Sequence, residues 1–384
     1  MTAQRDRIST YEQAERQLKL LAGIHAALVK NIEADDFATM AKIIENGGGQ
    51  EVYPEGTIFT TTKDNYTYPW CFMHHGIDED GEPYADIRVI KGIDSLQFDN
   101  AEAFYYCTEE LPAGTYYVTI AATWGQAAAG NYKFTLANAV PAGGRLVGFY
   151  RVADVNPVGT VVSVYDSPTA TTASQTAELS IGTQGTFLGT LQPGGDESHE
   201  DINSIQRVGY GNSNYAQSNI RQYLTSDKAA GSVYVSQHKF DQFPSWWNST
   251  PGFMAKLPQE FLDIVCPIDI KTDTCNVFEI GYEKNSSYTL HDKFWLPSRF
   301  QIFGTKEQAD LGETQWNYYK GATDVDRIMR NAGGSPVYQW LRTPGVGIAY
   351  SPRSVNTSGV LGYTYACNAS AVAPACRIRK IKAR

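Results

Sequence analysis

The hydrophobic period of this chain changes near residue 52, and the change determines what each part can fold into. Up to that residue, apolar side chains recur at helical spacing, and beyond it they alternate with polar ones, as in β-strands. The helical part contains a regular seam whose members alternate spacings of three and four residues: Tyr11, Ala14, Leu18, Leu21, His25, Leu28 and Ile32. Such a seam fits a short coiled coil, and it also fits a helix that packs on the protein's own body. Residues 1–50 are therefore predicted to be a helical oligomerisation or attachment region, with a homotrimer as the expected oligomer.

A second helix is predicted just before the period changes. Asp35 or Asp36 can cap its first turn, because a carboxylate at this position accepts hydrogen bonds from unpaired backbone N–H groups. Its apolar face is formed by Phe37, Met40, Ala41 and Ile44. The three consecutive glycines at 47–49 end it.

Residues 51–195 are predicted to form a β-rich domain. Alternating segments occur at 57–62, 85–90, 114–122, 131–137 and 144–152. Short strands at this spacing, separated by turn residues, are typical of an antiparallel sandwich or barrel. The span 156–195 is rich in Thr, Ser and Ala, and it fits either a connector or an elaborated edge of the same domain.

A third region, residues 196–384, is richer in aromatic clusters. Helical spacing predicts short helices within 214–226 and 257–265. Five of the seven tryptophans lie here: Trp246, Trp247, Trp295, Trp316 and Trp340. Aromatic side chains in a loop-rich fold usually pack in the core. The fold class predicted for the whole chain is α+β, with N-terminal helices, a sandwich-like middle domain and a C-terminal domain.

Charge and composition argue against several kinds of partner. The formal net charge of −9 disfavours nucleic-acid binding, which needs clustered Lys and Arg. No apolar stretch is long enough to predict a membrane-spanning helix, and the polar start does not resemble a signal peptide. The six cysteines are widely scattered, which indicates synthesis in a reducing cytoplasm rather than a disulfide framework.

The residues give no pattern typical of catalysis or of metal binding. His74 and His75 precede an acidic run at 78–80, but neighbouring residues of a strand point to opposite sides, and the acidic run reads as a turn. There is no nucleophile elbow, and Cys367 and Cys376 are as well explained by buried inert thiols as by a reactive pair. We expect no catalytic residue, no metal and no cofactor.

The segment from Gly345 to Ala371 has an unusual composition. It contains one charged residue, Arg353, and is otherwise built from Gly, Ser, Thr, Asn, Ala and Tyr with a few apolar side chains. Antibody paratopes use the same residue types, because Tyr supplies contact area and Ser, Gly and Asn supply adaptable hydrogen bonds. An ordinary surface loop or an edge hairpin would have a similar composition, so both interpretations stay open.

The segments that flank this stretch carry a family resemblance. QWLRTPG (339–345), V-N-x-S-G-x-L (355–361) and AVAPACRI (371–378) resemble the closing motif of the C-type-lectin-like variable proteins of diversity-generating retroelements, in the form found in gut bacteriophages and prophages. Further similar stretches lie at 95–106, 111–120, 132–144, 206–227, 239–262 and 294–304. The resemblance covers residues 52–384.

The resemblance implies a C-terminal fold shared with formylglycine-generating enzymes but used for binding. The flanking motifs would be scaffold, and the retroelement would diversify the side chains displayed between them. The displayed positions implied are Val346, Ile348, Tyr350, Ser351, Pro352, Ser354, Asn356, Gly362, Tyr363, Thr364, Tyr365, Cys367, Asn368 and Ser370. Ala371 stands where the family usually has glycine.

Two classes of function follow from this resemblance. The first is a phage virion protein, on the tail or the capsid surface, that binds a bacterial surface or another extracellular ligand, protein or glycan, and contacts other phage structural proteins. The second is a formylglycine-generating type of enzyme, which would need Cys367 and Cys376 as its thiol pair. Because Cys367 falls at a position expected to vary, binding is favoured. A prophage-encoded protein for display on the bacterial host is a weaker third possibility.

Overall fold

The structure, a computed structural model, describes residues 36–121, 129–148, 158–167, 169–192, 205–236, 239–273, 287–307 and 311–379. The heptad seam predicted between Tyr11 and Ile32 lies outside these residues. Within them the fold combines short helices with several β-sheets, as the α+β prediction requires. None of the described helices is long and apolar enough to cross a membrane.

The helices are all short. In chain order they are α1 (Phe37–Glu45), α2 (Gly49–Val52), α3 (Ile205–Tyr210), α4 (Asn219–Leu224), α5 (Gln259–Ile264), α6 (Arg299–Phe303) and α7 (Asp324–Arg327). Single 3₁₀ turns occur at Tyr215–Gln217, Met254–Lys256 and Asn317–Tyr319.

The strands account for most of the regular structure. The strands of the first half are β1 (Ile58–Lys63), β2 (Tyr66–Ile77), β3 (Pro83–Val89), β4 (Ser95–Gln97), β5 (Tyr105–Tyr106), β6 (Gly114–Ile120), β7 (Gly130–Leu136), β8 (Arg145–Val147), β9 (Val161–Tyr165), β10 (Gln175–Glu178), β11 (Ser180–Ile181) and β12 (Thr186–Leu191). The strands of the second half are β13 (Val265–Cys266), β14 (Ile268–Asp273), β15 (Ser287–Asp292), β16 (Phe294–Trp295), β17 (Met329–Arg330), β18 (Pro336–Val337), β19 (Gln339–Gly345), β20 (Ile348–Val355), β21 (Leu361–Tyr363), β22 (Ala369–Ala371) and β23 (Ala375–Arg379).

Two sheets form the larger part of the fold. One is six-stranded, in the order β1-β2-β3-β23-β13, with β16 also paired to β23. The other is five-stranded, in the order β21-β20-β19-β22-β4, with β19 and β22 parallel. Their inward side chains share one hydrophobic core with α1, α4 and α5, and the tryptophans Trp70, Trp295, Trp316 and Trp340 are fully buried in it. The predicted core role of the late tryptophans is thus confirmed for Trp295, Trp316 and Trp340, and also for Trp246, which is buried in the same core, whereas Trp247 is only half-buried.

The middle of the chain forms two four-stranded sheets around a separate core. Their orders are β10-β9-β8-β5 and β11-β7-β6-β12. Along β6 and β7 buried and less buried residues alternate, so that Tyr116, Val118 and Ile120 face inward. Strands β9 to β12 lie within 156–195 and pair with β6, β7 and β8, so this span is an elaborated edge of the same unit rather than a connector.

The sheet partners correct the predicted boundary at residue 51. Strands β1 and β3, expected to join the middle sandwich, lie instead in the six-stranded sheet, where β3 pairs with β23 near the end of the chain. Likewise, β4 pairs with β22. Alternation shows that a segment is a strand with one buried face, but it carries no information about which distant strand completes the sheet. The middle unit is inserted between two parts of the larger one.

The predicted helix at 36–45 is confirmed in detail. Asp36 caps α1 by accepting a hydrogen bond from the Thr39 backbone N–H at 3.3 Å. Phe37, Met40, Ala41 and Ile44 are all buried, and Phe37 packs edge-on against Phe261 of α5 at 5.4 Å between ring centroids. This helix therefore belongs to the larger core and not to a separate N-terminal region.

Candidate functional site

The segment with the unusual composition lies next to a buried strand. QWLRTPG is β19 itself, and all its residues except Thr343 are buried. The indole Nε1–H of Trp340 donates to the Leu96 carbonyl at 2.8 Å, and the Gln339 side chain accepts a hydrogen bond from Arg88. Most of AVAPACRI is equally buried, with β23 in the middle of the six-stranded sheet. Both flanking motifs are parts of the core.

The backbone between these motifs is held largely by its own amide and carbonyl groups. Beyond β21, the N–H groups of Thr364 and Ala366 donate to the carbonyls of Pro352 and Tyr350 on β20, at 3.2 and 3.0 Å. The Cys367 N–H donates to the Tyr210 carbonyl at 2.9 Å, and the Ala366 carbonyl accepts from the N–H of Phe98 at 2.9 Å. These bonds do not depend on which side chains the segment carries.

The structure divides the predicted positions into three groups. The exposed ones are Val346, Tyr363 and Asn368. The half-buried ones are Ile348, Tyr350, Asn356, Gly362, Thr364 and Tyr365. The buried ones are Ser351, Pro352, Ser354, Cys367 and Ser370.

The five buried positions correct the prediction that every one of these side chains is displayed. Strand β20 lies between β19 and β21 and is covered on both faces at some positions, so that Ser351 and Ser354, three residues apart, are both completely buried. Cys367 and Ser370 lie where the chain turns back to pair with β4, and Ser370 is opposite Leu96 in that pairing. A run of small residues does not reveal which of them points outward.

Three tyrosines form one aromatic cluster on this surface. The rings of Tyr210 and Tyr365 are stacked, with centroids 3.9 Å apart and planes 13° apart. Tyr350 packs against both, at 5.8 Å from each centroid. Tyr210 comes from α3 and is buried, while Tyr350 and Tyr365 are half-buried. The cluster gives this part of the surface a stiff aromatic base.

A buried carboxylate anchors the other end of the surface. The Glu307 side chain is 1% exposed and accepts hydrogen bonds from both Arg299 and Arg353. It also accepts from the Val346 N–H at 3.2 Å, at the turn between β19 and β20. Burial alone raises the pKa of Glu307, but the hydrogen bonds and charges of Arg353 and Arg299 outweigh burial and hold the pKa below its ordinary value. Glu307 is therefore ionised at neutral pH and fixes the hairpin.

Arg353 links this anchor to the most exposed tyrosine. Its guanidinium lies 5.9 Å from the ring centroid of Tyr363, which is 57% exposed. A guanidinium near an aromatic ring restricts the ring's orientation. The surface thus presents one partly neutralised cation among neutral polar and aromatic side chains.

The cysteines of the enzyme alternative are both buried. Cys376 lies on β23 opposite Ile87 and Phe294, and burial raises the pKa of its thiol well above the ordinary value. Cys367 is buried as well, and it forms no disulfide with any described cysteine. A protonated, enclosed thiol is a poor nucleophile, so this arrangement gives no support to a reactive pair.

The histidines and acidic residues near 74–80 take the positions expected from the sequence. His74 and His75 lie on β2, and Asp78 forms a turn by accepting from the N–H groups of Asp80 and Glu82 at 2.9 Å. Among the described residues, no three His, Cys, Asp or Glu side chains come together in a way that could hold a metal ion.

Sequence reasoning missed Tyr210, Glu307 and Arg299 as parts of the surface. Each is distant in sequence from the segment it supports, and each looks locally like an ordinary helix or loop residue. The only available signal is that Arg353, alone in a neutral segment, requires a buried or surface carboxylate as its partner.

The comparisons with known proteins cover only the second half of the chain. Neither a curated protein sequence nor a solved structure matches it. Residues 196–380, which contain β13 to β23 and the whole candidate surface, are similar to a family described as a domain of unknown function (DUF6273).

Proposed function

We propose that this chain is a bacteriophage virion protein, on the tail or capsid surface, which displays a diversifiable C-type-lectin-like surface to a bacterial or other extracellular ligand. The surface consists of the outward side chains of β20 and β21 and of the loop 364–368. The ligand is a protein or a glycan, the chain has no catalytic role, and a homotrimer joined through the helical seam between Tyr11 and Ile32 presents several such surfaces at once.

This proposal rests on the observation that the backbone of the segment is held by hydrogen bonds in which the displayed side chains take no part. Main-chain hydrogen bonds to Tyr350, Pro352 and Tyr210 hold the loop, and buried motifs flank it on both sides. Val346, Tyr363 and Asn368 can therefore be replaced without removing a contact that the described fold depends on. A surface that tolerates exchange in this way suits a retroelement that rewrites selected codons.

The chemistry of the surface also suits binding. Half-buried tyrosines lose little side-chain entropy when a partner covers them, because their rings are already restricted by packing. Tyr363 and Asn368 supply an exposed ring and an exposed amide for further contacts.

The direct test is attachment of the purified full-length protein to candidate bacterial cells. We expect Tyr350→Ala, Tyr363→Ala and Tyr365→Ala each to weaken attachment, and a true hot spot among them to cost about thirtyfold in affinity. Tyr288→Ala is the matched control, since Tyr288 is an exposed tyrosine on the separate β14–β15 sheet. Unchanged attachment in all three surface variants would refute the assignment.

A genomic observation tests the retroelement directly. We expect a reverse-transcriptase gene near this gene, together with a near-copy of codons 340–376 in which the differences concentrate at adenines. Copper- or oxygen-dependent oxidation of a cysteine-containing peptide, abolished by Cys367→Ser or Cys376→Ser, would instead favour the enzyme.

A further inference from the structure

A groove lies beside the five-stranded sheet, apart from the three-tyrosine cluster. Its volume is about 590 Å³, within the range of small-molecule sites. Small residues such as Gly92 and Ala371 line it together with Asp94, Asn331, Tyr338 and Thr357. We propose that this groove binds a neutral saccharide through Asp94, Asn331 and Tyr338.

The charge of the groove argues for a neutral ligand. Asp94 is the only charged side chain among the described residues that line it. The ammonium group of Lys256 lies 2.7 Å from Asp94 Oδ2 and offsets its charge. A polyanion would find no cation in the groove wall, and a cationic ligand would meet a carboxylate that is already paired.

Several main-chain groups at the groove are already hydrogen-bonded within the protein. The N–H of Gly92 donates to the Arg330 carbonyl, that of Ile93 to the Val372 carbonyl, and that of Ala371 to the Tyr338 carbonyl, all within 2.8–3.1 Å. Peptides that extend a sheet need unpaired main-chain groups. At these positions recognition depends on side chains rather than on free main-chain groups, which suits a saccharide with many hydroxyl groups.

The side chains offer the groups that sugar hydroxyls require. The Tyr223 hydroxyl, at 2.5 Å, and the Lys256 ammonium both donate to Asp94 Oδ2. Within the described part of the chain Oδ1 has no partner, so it can accept from a hydroxyl. The Asn331 Oδ1 is occupied by the Ser335 N–H at 3.0 Å, which leaves the amide nitrogen as a donor.

Tyr338 supplies the apolar component. It is 44% exposed and lines the groove, so its ring is available to the C–H face of a sugar ring. The buried Lys256, enclosed by the rings of Tyr66 and Tyr223 at 5.1 and 5.0 Å, keeps Asp94 in position from behind. The groove therefore combines a fixed acceptor, an amide donor and an aromatic platform.

The experiment is saturation-transfer NMR on the full-length protein with glucose, galactose, mannose and N-acetylglucosamine. We expect at least one sugar to receive magnetisation, and Tyr338→Ala and Asp94→Asn each to lower its affinity about tenfold. Because Asp94→Asn also removes a partner of buried Lys256, Thr357→Val at the exposed rim provides a second polar variant with little effect on folding.

Tyr363→Ala is the control, because it lies on the proposed virion-display surface and not in the groove. The inference is overturned if no sugar in the panel gives a signal, if the signal survives both Tyr338→Ala and Asp94→Asn, or if Tyr363→Ala alone abolishes it. Failure of this inference leaves the cell-attachment result untouched, since that result depends on Tyr350, Tyr363 and Tyr365.

Discussion

At the scale of single residues, Glu307 joins separate parts of the candidate surface. One carboxylate receives two guanidinium groups and the turn N–H of Val346, and these three donors come from separate segments of the chain. Removing the charge leaves Arg299 and Arg353 close together without the anion that joins them. Glu307 thus adds a side-chain anchor to a hairpin whose two strands are already paired through their main chains.

We expect Glu307→Gln to lower the free energy of unfolding by about 2 kcal/mol, because it leaves two partly buried cations without their counter-charge. Urea denaturation followed by tryptophan fluorescence measures the change. Glu260→Gln, on the exposed side of α5, is the control and should lie within about 0.5 kcal/mol of wild type. Equal stability of Glu307→Gln and wild type would contradict the anchoring role.

The same residue predicts a pH dependence. Since the pKa of Glu307 in the folded chain lies below its ordinary value of 4.5, the ionised carboxylate stabilises the fold fully above that value. Its contribution is lost as the pH falls through the lower folded-state pKa. The stability difference between wild type and Glu307→Gln should therefore shrink below about pH 4, and a difference that stays constant down to pH 3 would be inconsistent with this account.

Trp340, unlike Glu307, is a residue whose structural role the sequence already predicted. Its side chain is fully buried and its indole N–H is satisfied by Leu96. We expect Trp340→Ala to cost about 3–5 kcal/mol. Tyr363→Ala, a comparable loss of aromatic area at the surface, should cost less than about 1 kcal/mol. Comparable losses in the two variants, measured by thermal or urea unfolding, would mean that Tyr363 is a core residue.

At the scale of elements, strands were predictable where apolar and polar residues alternate in the sequence, and not where apolar residues run continuously. β1, β3, β6, β7 and β8 overlap segments that alternate. β2 does not, because residues 70–74 are all buried, and a continuous apolar run carries no period. The same limit applies to the candidate site. Its composition located the segment, but only the neighbouring strands show which residues of β20 are buried.

The main-chain support of the segment leads to an element-scale prediction. Replacing Val346, Tyr363, Thr364 and Asn368 together, with Thr, Ser, Ala and Asp, should leave the unfolding free energy within about 2 kcal/mol of wild type, the sum expected for four surface changes. Ser351→Tyr, a single change at a buried position of β20, should destabilise the protein by overpacking, by about 1–3 kcal/mol or more. If the fourfold variant is the less stable of the two, the division into displayed and buried positions is wrong.

At the scale of the whole molecule, the two hydrophobic cores are interleaved along the chain. The larger core draws residues from both sides of the middle sandwich, and α1 belongs to it. Local pattern could not show this, because the pairing of β3 with β23 joins residues almost 300 positions apart, such as Cys376 and Ile87. The match to the domain family covers residues 196–380 and leaves out β1 to β4, which belong to the same core.

The position of α1 determines how the oligomer prediction should be tested. We expect the full-length protein to be a trimer by light scattering, and a shortened chain that begins at Asp36 to be a folded monomer. A chain that begins at Val52 should be unstable instead, because it loses Phe37, Met40 and Ile44 from the core. A full-length monomer would refute the coiled-coil interpretation of the Tyr11 to Ile32 seam.

The central place of β23 in its sheet has a consequence for the order of events during synthesis. β3 and β13 have no hydrogen-bonded connection through the sheet until residues 375–379 lie between them. The hydrophobic core of the middle sandwich contains no described residue beyond Val208 and can form while the ribosome is still translating, before Ser236 and Lys239 bind the buried Arg145. Translation that stops before codon 375 should therefore yield a folded middle sandwich, flanked by segments that cannot complete the six-stranded sheet. Quality-control proteases would then trim this product to residues near 104–208.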